Sequence, residues 1–207
     1  MKIGILGAGN IGGTLAKDWA RAGHAVFLSS RHPDGLKRLV KDVGNGAKAG
    51  TLEEAAKFGD VVVLAIPWTS KEGLPRPGLL KGKVVIDAMN PYSDLGKVMD
   101  LGETTSSEEV AKLLPGARLV KAFNTMSGDD LRSGAFRSGP ERWTMFLAGD
   151  DKEAKRTVSR LVEDIGFVPM DTGSLIDGGR LQEPDSPLYP KPLTEKQARA
   201  LLRSLKT

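Results

Sequence analysis

The sequence predicts an α/β fold: a doubly wound, mainly parallel sheet with a small C-terminal α/β extension. Three observations predict it. Short apolar runs alternate with amphipathic stretches along the chain, the pattern of strand–helix units in a parallel sheet. The first run, Lys2 to Leu6, leads directly into Gly7, Gly9 and Gly12 at G-x-G-x-x-G spacing, with an amphipathic segment behind them. Val61 to Ile66 is apolar without a break, as a central strand buried on both faces must be.

Composition bounds the chemistry. The 207 residues suffice for one large domain or one domain with a small appendage. There is no cysteine, which excludes disulfides, thiolate catalysis and iron–sulfur clusters. The 2 histidines stand far from any acidic cluster, so no metal site is expected. A net charge of +4 without a basic block suits anionic small molecules and not nucleic acid. No apolar run approaches the roughly 18 residues of a membrane helix, and glycines stand where a signal peptide needs its apolar core. A cytoplasmic protein with no membrane partner is the expectation.

The elements follow in order. At the first turn, Gly7 permits the sharp exit from the strand, Gly9 lets backbone close on a pyrophosphate, and Gly12 lets helix and strand pack. Ala8, Asn10 and Ile11 lie in the same turn, where a helix N-terminus offers free N–H groups to phosphates. The helix is expected over Asn10 to Ala22, with Ile11, Leu15 and Trp19 on its inner face and Gly23 as its cap. Trp19 reads as core and His24 as a cation favoured at a helix C-terminus. Ala25 to Ser29 is the second strand. The residues that end it select the nucleotide, because a carboxylate there binds a ribose 2′-hydroxyl whereas an arginine accommodates the 2′-phosphate of NADP. No Asp or Glu occurs between Val26 and His32. Ser29, Ser30, Arg31 and His32 are therefore read as an NADP(H) site, with Arg31 as the bidentate phosphate ligand.

A short helix is expected over Lys37 to Val43, a weak strand over Ala47 to Ala49, and a helix opened by the capping box Thr51-Leu-Glu-Glu54. The strand Val61–Ile66 ends in Pro67-Trp68. Ligands lie at the carboxyl ends of such strands, so Ile66, Pro67 and Trp68 are expected to border the cofactor. Val84 to Ile86 is the next strand, ending in Asp87-Ala-Met-Asn-Pro91 at the same edge. Asp87 reads as a strand-end residue bonding nearby backbone. Met89, Asn90 and, after the sixth strand Arg118 to Ala122, the residues Ala122 and Asn124 complete the expected cofactor contacts. Ser106 is expected to cap a helix to Leu114, Trp143 to Ala148 to form a strand, Asp150 to cap a helix to about Ile165, and Phe167 to Met170 to form the last strand. Thr172 to Leu193 has no periodicity and carries Pro184, Pro187, Pro190 and Pro192. It is expected to lie across the domain, followed by a helix capped by Thr194-Glu-Lys-Gln197.

The catalytic constellations of alcohol and ketone dehydrogenases are missing. No Tyr-x-x-x-Lys pair occurs, since Tyr92 is followed four residues later by Gly96 and Tyr189 by Leu193. What remains is hydride transfer to an acceptor that needs little acid–base help, such as a flavin or deazaflavin, with the protein supplying position.

Six blocks carry a resemblance: Gly7-Ala-Gly-Asn-Ile-Gly12, Ser29-Ser-Arg31, Ile66-Pro67, Val120-Lys-Ala-Phe-Asn-Thr125, Phe146-Leu-Ala-Gly-Asp150, and Gly173-Ser-Leu with Arg180-x-x-Glu183. In that order, over nearly the whole chain, the sequence resembles the NADPH-dependent reductases of coenzyme F420, a 5-deazaflavin. It is similar also to the cytosolic reductase domain of membrane ferric reductases. The resemblance implies that residues 1–125 form a Rossmann-type NADP-binding domain and residues 126–207 complete the sheet and the acceptor site, as one compact unit. It implies an acceptor (F420, FMN or FAD) docked where Asn124 and the Gly173-Ser174-Leu175 turn face the nicotinamide, and a homodimer. The archaeal deazaflavin reductases carry a histidine where this chain has Asn124, as the ferric-reductase branch does. Reduction of another small acceptor (a quinone, ferric chelate or imine) and a non-enzymatic NADP-binding sensor stay open as alternatives.

Overall fold

The computed structural model describes residues 1–205, so Lys206 and Thr207 of the expected extension lie outside the described residues. Alternation of strands and helices produces a single eight-stranded sheet in the order β3-β2-β1-β4-β5-β6-β7-β8. The strands are β1 (Lys2–Leu6), β2 (Ala25–Ser29), β3 (Lys48–Gly50), β4 (Val61–Leu64), β5 (Val84–Asp87), β6 (Arg118–Ala122), β7 (Thr144–Ala148) and β8 (Val168–Gly173). From β1 the chain winds outward through β2 to β3, then crosses back to lay β4 on the other side of β1, and both neighbours pair parallel with it. That reversal opens a crevice at the carboxyl ends of β1 and β4, where such sheets bind ligands.

The apolar runs explain the layers. Ile3, Ile5, Val61, Val63, Ile86 and Val120 point to one face, where α1 (Asn10–Arg21), α5 (Gly128–Gly134) and α6 (Lys152–Asp164) cover them with Leu15, Trp19, Leu131, Val158 and Leu161. Leu6, Val62, Leu64, Val85 and Leu119 point to the other face, under α3 (Leu52–Phe58) and α4 (Ser106–Leu113). Both faces are apolar because both are covered, which is why these strands read as unbroken runs. The last strands depart from the parallel pattern: β7 runs antiparallel to β6, and β8 parallel to β7. A third cluster of Phe146, Met170, Leu188 and Ala198 seats α8 (Glu195–Ser204) and the proline-rich stretch on this end of the sheet.

Several boundaries move. The box opening α4 is formed by Thr105 with Glu108, one residue before the expected Ser106. The cap of α6 is Asp151, which accepts from the Ala154 N–H, while the expected Asp150 accepts from the N–H of Leu175 instead. The α5 helix, capped by Ser127 and Asp130, was not anticipated; its two glycines make it read as loop. The aperiodic stretch contains one further turn of helix, α7 (Asp177–Arg180). The remaining helix, α2 (Lys37–Val43), stands where its periodicity predicts.

Candidate functional site

A groove of about 420 Å³ opens at the carboxyl ends of β1 and β4. Gly7, Ala8 and Gly9 form its floor, Ser30 and Arg31 enter from the end of β2, and Ala65, Ile66 and Pro67 from the end of β4. Leu52 and the 3₁₀ turn Trp68–Gly73 close the far side with Thr69, Ser70, Glu72 and Gly73.

The three glycines of the first turn have different reasons to be glycine. Gly7 has φ 103°, and a Cβ there would stand 2.3 Å from the Ala65 carbonyl oxygen. At Gly12 a Cβ would stand 2.0 Å from the Gly7 carbonyl oxygen, so α1 packs on the turn only without one. Gly9 differs: a Cβ would meet nothing within 4 Å. No protein atom requires glycine at 9, and the open volume beside it fits the pyrophosphate of a dinucleotide. The first-turn N–H groups of α1 have no intrahelical acceptors and lie beside that space.

Arg31 lines the groove, is exposed, and makes no ion pair or hydrogen bond among the described residues. An unengaged guanidinium, with no carboxylate ending β2, fits a phosphate on the adenosine ribose. Ser29 does not share that role. Its side chain is fully buried and its hydroxyl donates to the Ile5 carbonyl at 3.0 Å, so it braces two strands. His32 is exposed outside the groove lining, its N–H donating to the Ser30 Oγ at 3.1 Å. Trp68, expected to border the cofactor, belongs to the second core, because its indole turns inward as the anchor of the 3₁₀ turn. Met89 and Ala122 are buried in the two cores as well.

The end of β6 forms a second polar corner, outside the groove lining. Phe123, at φ 66°, occupies the left-handed region that non-glycine residues seldom enter. It is wholly buried, edge-on to Trp19 at 5.5 Å and 84°. The turn it makes carries Asn124 against Asn90: Asn124 Nδ2 donates to Asn90 Oδ1 at 3.0 Å and to the Gln182 carbonyl at 2.7 Å, and Asn90 Nδ2 donates to the Asn124 carbonyl at 2.9 Å. Asn124 Oδ1 is buried with no donor among the described residues. The chain after it returns to the first turn of α1, with Gly128 packed on Asn10.

Gly173, Ser174 and Leu175 do not line the groove. Leu175 is packed in the second core, with its N–H held by Asp150 and its carbonyl by Thr105. The segment that touches Asn124 is Gln182, which periodicity could not single out. Beneath it lies a polar cluster also not anticipated. Lys121 is fully buried, 3.5 Å from Asp87 and 3.9 Å from Glu183, and donates to Ser106 Oγ and the Met89 carbonyl. Asp87 accepts from Ser107 and from the Met89 N–H, the strand-end bonding its position suggests. Buried charges persist only when paired and bonded this way. Tyr92 and Tyr189 meet hydroxyl to hydroxyl at 2.9 Å, tying the proline-rich stretch to the loop after β5; burial and that contact push the Tyr189 hydroxyl above its usual range.

This geometry agrees with what the chain is similar to. The family model described as "NADP oxidoreductase coenzyme F420-dependent" matches residues 2–91, the segment holding the groove. The F420-dependent NADP reductase of Methanocaldococcus jannaschii is 29% identical over 206 residues, covering 91% of this chain and 90% of that protein. Over residues 2–91 the chain is thus similar to the coenzyme F420-dependent NADP oxidoreductases. The chain is similar also to the metalloreductase STEAP3 of Rattus norvegicus, 33% identical over 175 residues, covering 84% of this chain. The chain spans only about a third of that metalloreductase, 34% of its length. A crystal structure of a hypothetical protein from Sinorhizobium meliloti superposes with a TM-score of 0.82 at 33% identity, over 94% of this chain and 95% of its own. Among the described residues, no helix is long and apolar enough to cross a membrane.

Proposed function

We propose that the protein transfers hydride between NADP(H) and a flavin or deazaflavin acceptor of the coenzyme F420 type. One observation carries the nucleotide half: Arg31, with no partner among the described residues, lines the same groove as Gly9, where a Cβ would stand in open space. NADPH, when bound, supplies the hydride. The chain's own residues bind and orient. The α1 N-terminus and the Gly7–Gly9 backbone take the pyrophosphate, Ser30 and Arg31 the 2′-phosphate, and Ile66 and Pro67 pack against the adenosine. Asn124 acts as a positioning residue, fixing Asn90 and the Gln182 backbone at the end where nicotinamide and acceptor meet. Ordering two planar partners in contact supplies most of the rate such a transfer needs, and no protein acid is required.

The similarity to the M. jannaschii reductase over nearly its full length supports the deazaflavin acceptor. The similarity to the rat metalloreductase supports a second reading, reduction of a ferric chelate through a bound flavin. Stopped-flow oxidation of NADPH against F420, FMN, FAD, a quinone and ferric citrate separates them. F420 turning over fastest is the expected result. Reduction of ferric citrate only with added FMN or FAD favours the second reading, and no consumption with any acceptor points to an NADP sensor. The proposal includes a homodimer, which sedimentation of the purified chain tests, and a cytoplasmic location, which cell fractionation tests.

A further inference from the structure

The nucleotide groove carries a carboxylate as well as a cation. Glu72 lines it from the 3₁₀ turn Trp68–Gly73, while Arg31 lines it from the end of β2. In a site for a polyanion a carboxylate weakens the attraction, and the fold gives Glu72 no structural duty. Its side chain is 73% exposed, and its ion pair, with its neighbour Lys71 at 3.7 Å, is of a kind worth little. The turn that carries it is well fixed. Trp68 is buried beneath it, and Lys71 Nζ stands 4.7 Å from the indole centroid. The Thr69 hydroxyl donates to Asp94 at 2.6 Å, and the Ser70 N–H donates to the Pro67 carbonyl at 2.9 Å. An acid paired only weakly, with its neighbour Lys71, is thus carried on a fixed turn at the groove wall.

We infer, building on the NADP-binding reading above, that Glu72 is a specificity residue that reads the base, its carboxylate accepting a hydrogen bond from the exocyclic 6-amino group of adenine. Adenosine 2′-phosphate presents an anion on its sugar and a two-hydrogen donor on its base edge. The groove offers the complementary pair, Arg31 for the first and Glu72 for the second. Leu52, Ile66 and Pro67 line the same groove with apolar surface for the faces of the base. A 6-oxo purine would turn an acceptor oxygen toward the carboxylate and be disfavoured.

Fluorescence titration of NADPH and of its 6-oxo counterpart, reduced nicotinamide hypoxanthine dinucleotide phosphate, tests this on the wild type, Glu72→Ala and Glu72→Lys. The exposed position leaves all three folded, which melting curves verify. The wild type should prefer the amino nucleotide by about tenfold or more, the order of one charge-assisted hydrogen bond. Glu72→Ala should reduce that preference to within about twofold, and Glu72→Lys should reverse it, because an ammonium donates to the oxo group. A preference that survives in Glu72→Ala, or none in the wild type, overturns the inference while NADPH binding itself stands. Failure of the nucleotide reading gives a different result, with neither nucleotide binding the wild type, and removes the inference with it.

Discussion

Asn90 and Asn124 hold each other reciprocally, each donating from its Nδ2 to an oxygen of the other, at 2.9 and 3.0 Å. The pair joins the ends of β5 and β6, and Asn124 alone extends it to Gln182. Asn124→Ala removes two of these bonds, at the corner proposed to face the nicotinamide, and none at the first glycine turn. Turnover should therefore fall more than nucleotide affinity, read as kcat against the Kd for NADPH. A loss confined to Kd would place Asn124 in the nucleotide site instead.

Arg31→Ala leaves the fold untouched, since the guanidinium has no partner among the described residues. NADPH binding should weaken by about 1.5–3 kcal/mol, the range for hydrogen bonds to charged groups, with NADH little changed. Calorimetric titration of both nucleotides checks it; equal losses would refute the phosphate role.

The glycines of the first turn separate folding from binding. Gly12→Ala drives a methyl to 2.0 Å from the Gly7 carbonyl and should lower Tm sharply. Gly9→Ala puts its methyl into open space and should melt like the wild type, yet bind NADPH far more weakly. Thermal melts with and without NADPH measure both; a Gly9→Ala protein that is still stabilised by NADPH would contradict the placement of the pyrophosphate.

Asp18, on α1, carries a buried Oδ2 without a partner, and burial lifts its carboxyl from 3.8 to about 6 against the pull of Arg21, Arg132 and Lys17. Between those values the folded protein holds a proton that the unfolded chain has released. Stability from this group is therefore lost as pH rises through that window. Asp18→Asn abolishes the titration, so its Tm relative to the wild type should climb from pH 4 to pH 7. A difference that stays flat across calorimetric scans would show that the carboxylate is solvated.

The sheet was legible because burial on two faces leaves a simple mark, unbroken apolar runs such as Val61–Leu64, and because Gly7, Gly9 and Gly12 fall between a strand and a helix. The place of Arg31 beside the groove was legible because the end of β2 has a fixed relation to that turn. Ser29 and Trp68 were misread for one reason: their positions border the crevice, but side-chain direction depends on neighbours distant in sequence. The Ser29 hydroxyl finds Ile5, and the Trp68 indole finds the second core. The Gln182 contact and the Lys121 cluster were invisible because they join residues 58 and 32 positions from their partners, with no periodicity to announce them. β7 lies antiparallel to β6 although α5 stands between them, so the order of elements alone does not announce the reversal.

The left-handed Phe123 has a mechanical consequence. Its ring is locked against Trp19, whose indole N–H donates to the Leu161 carbonyl, so one aromatic contact couples α1, α6 and the exit of β6. The helix proposed to hold phosphate and the corner proposed to set hydride distance are therefore joined through one buried contact. Re-engineering the chain toward another oxidant means leaving that hinge-less corner alone and recutting the walls around it.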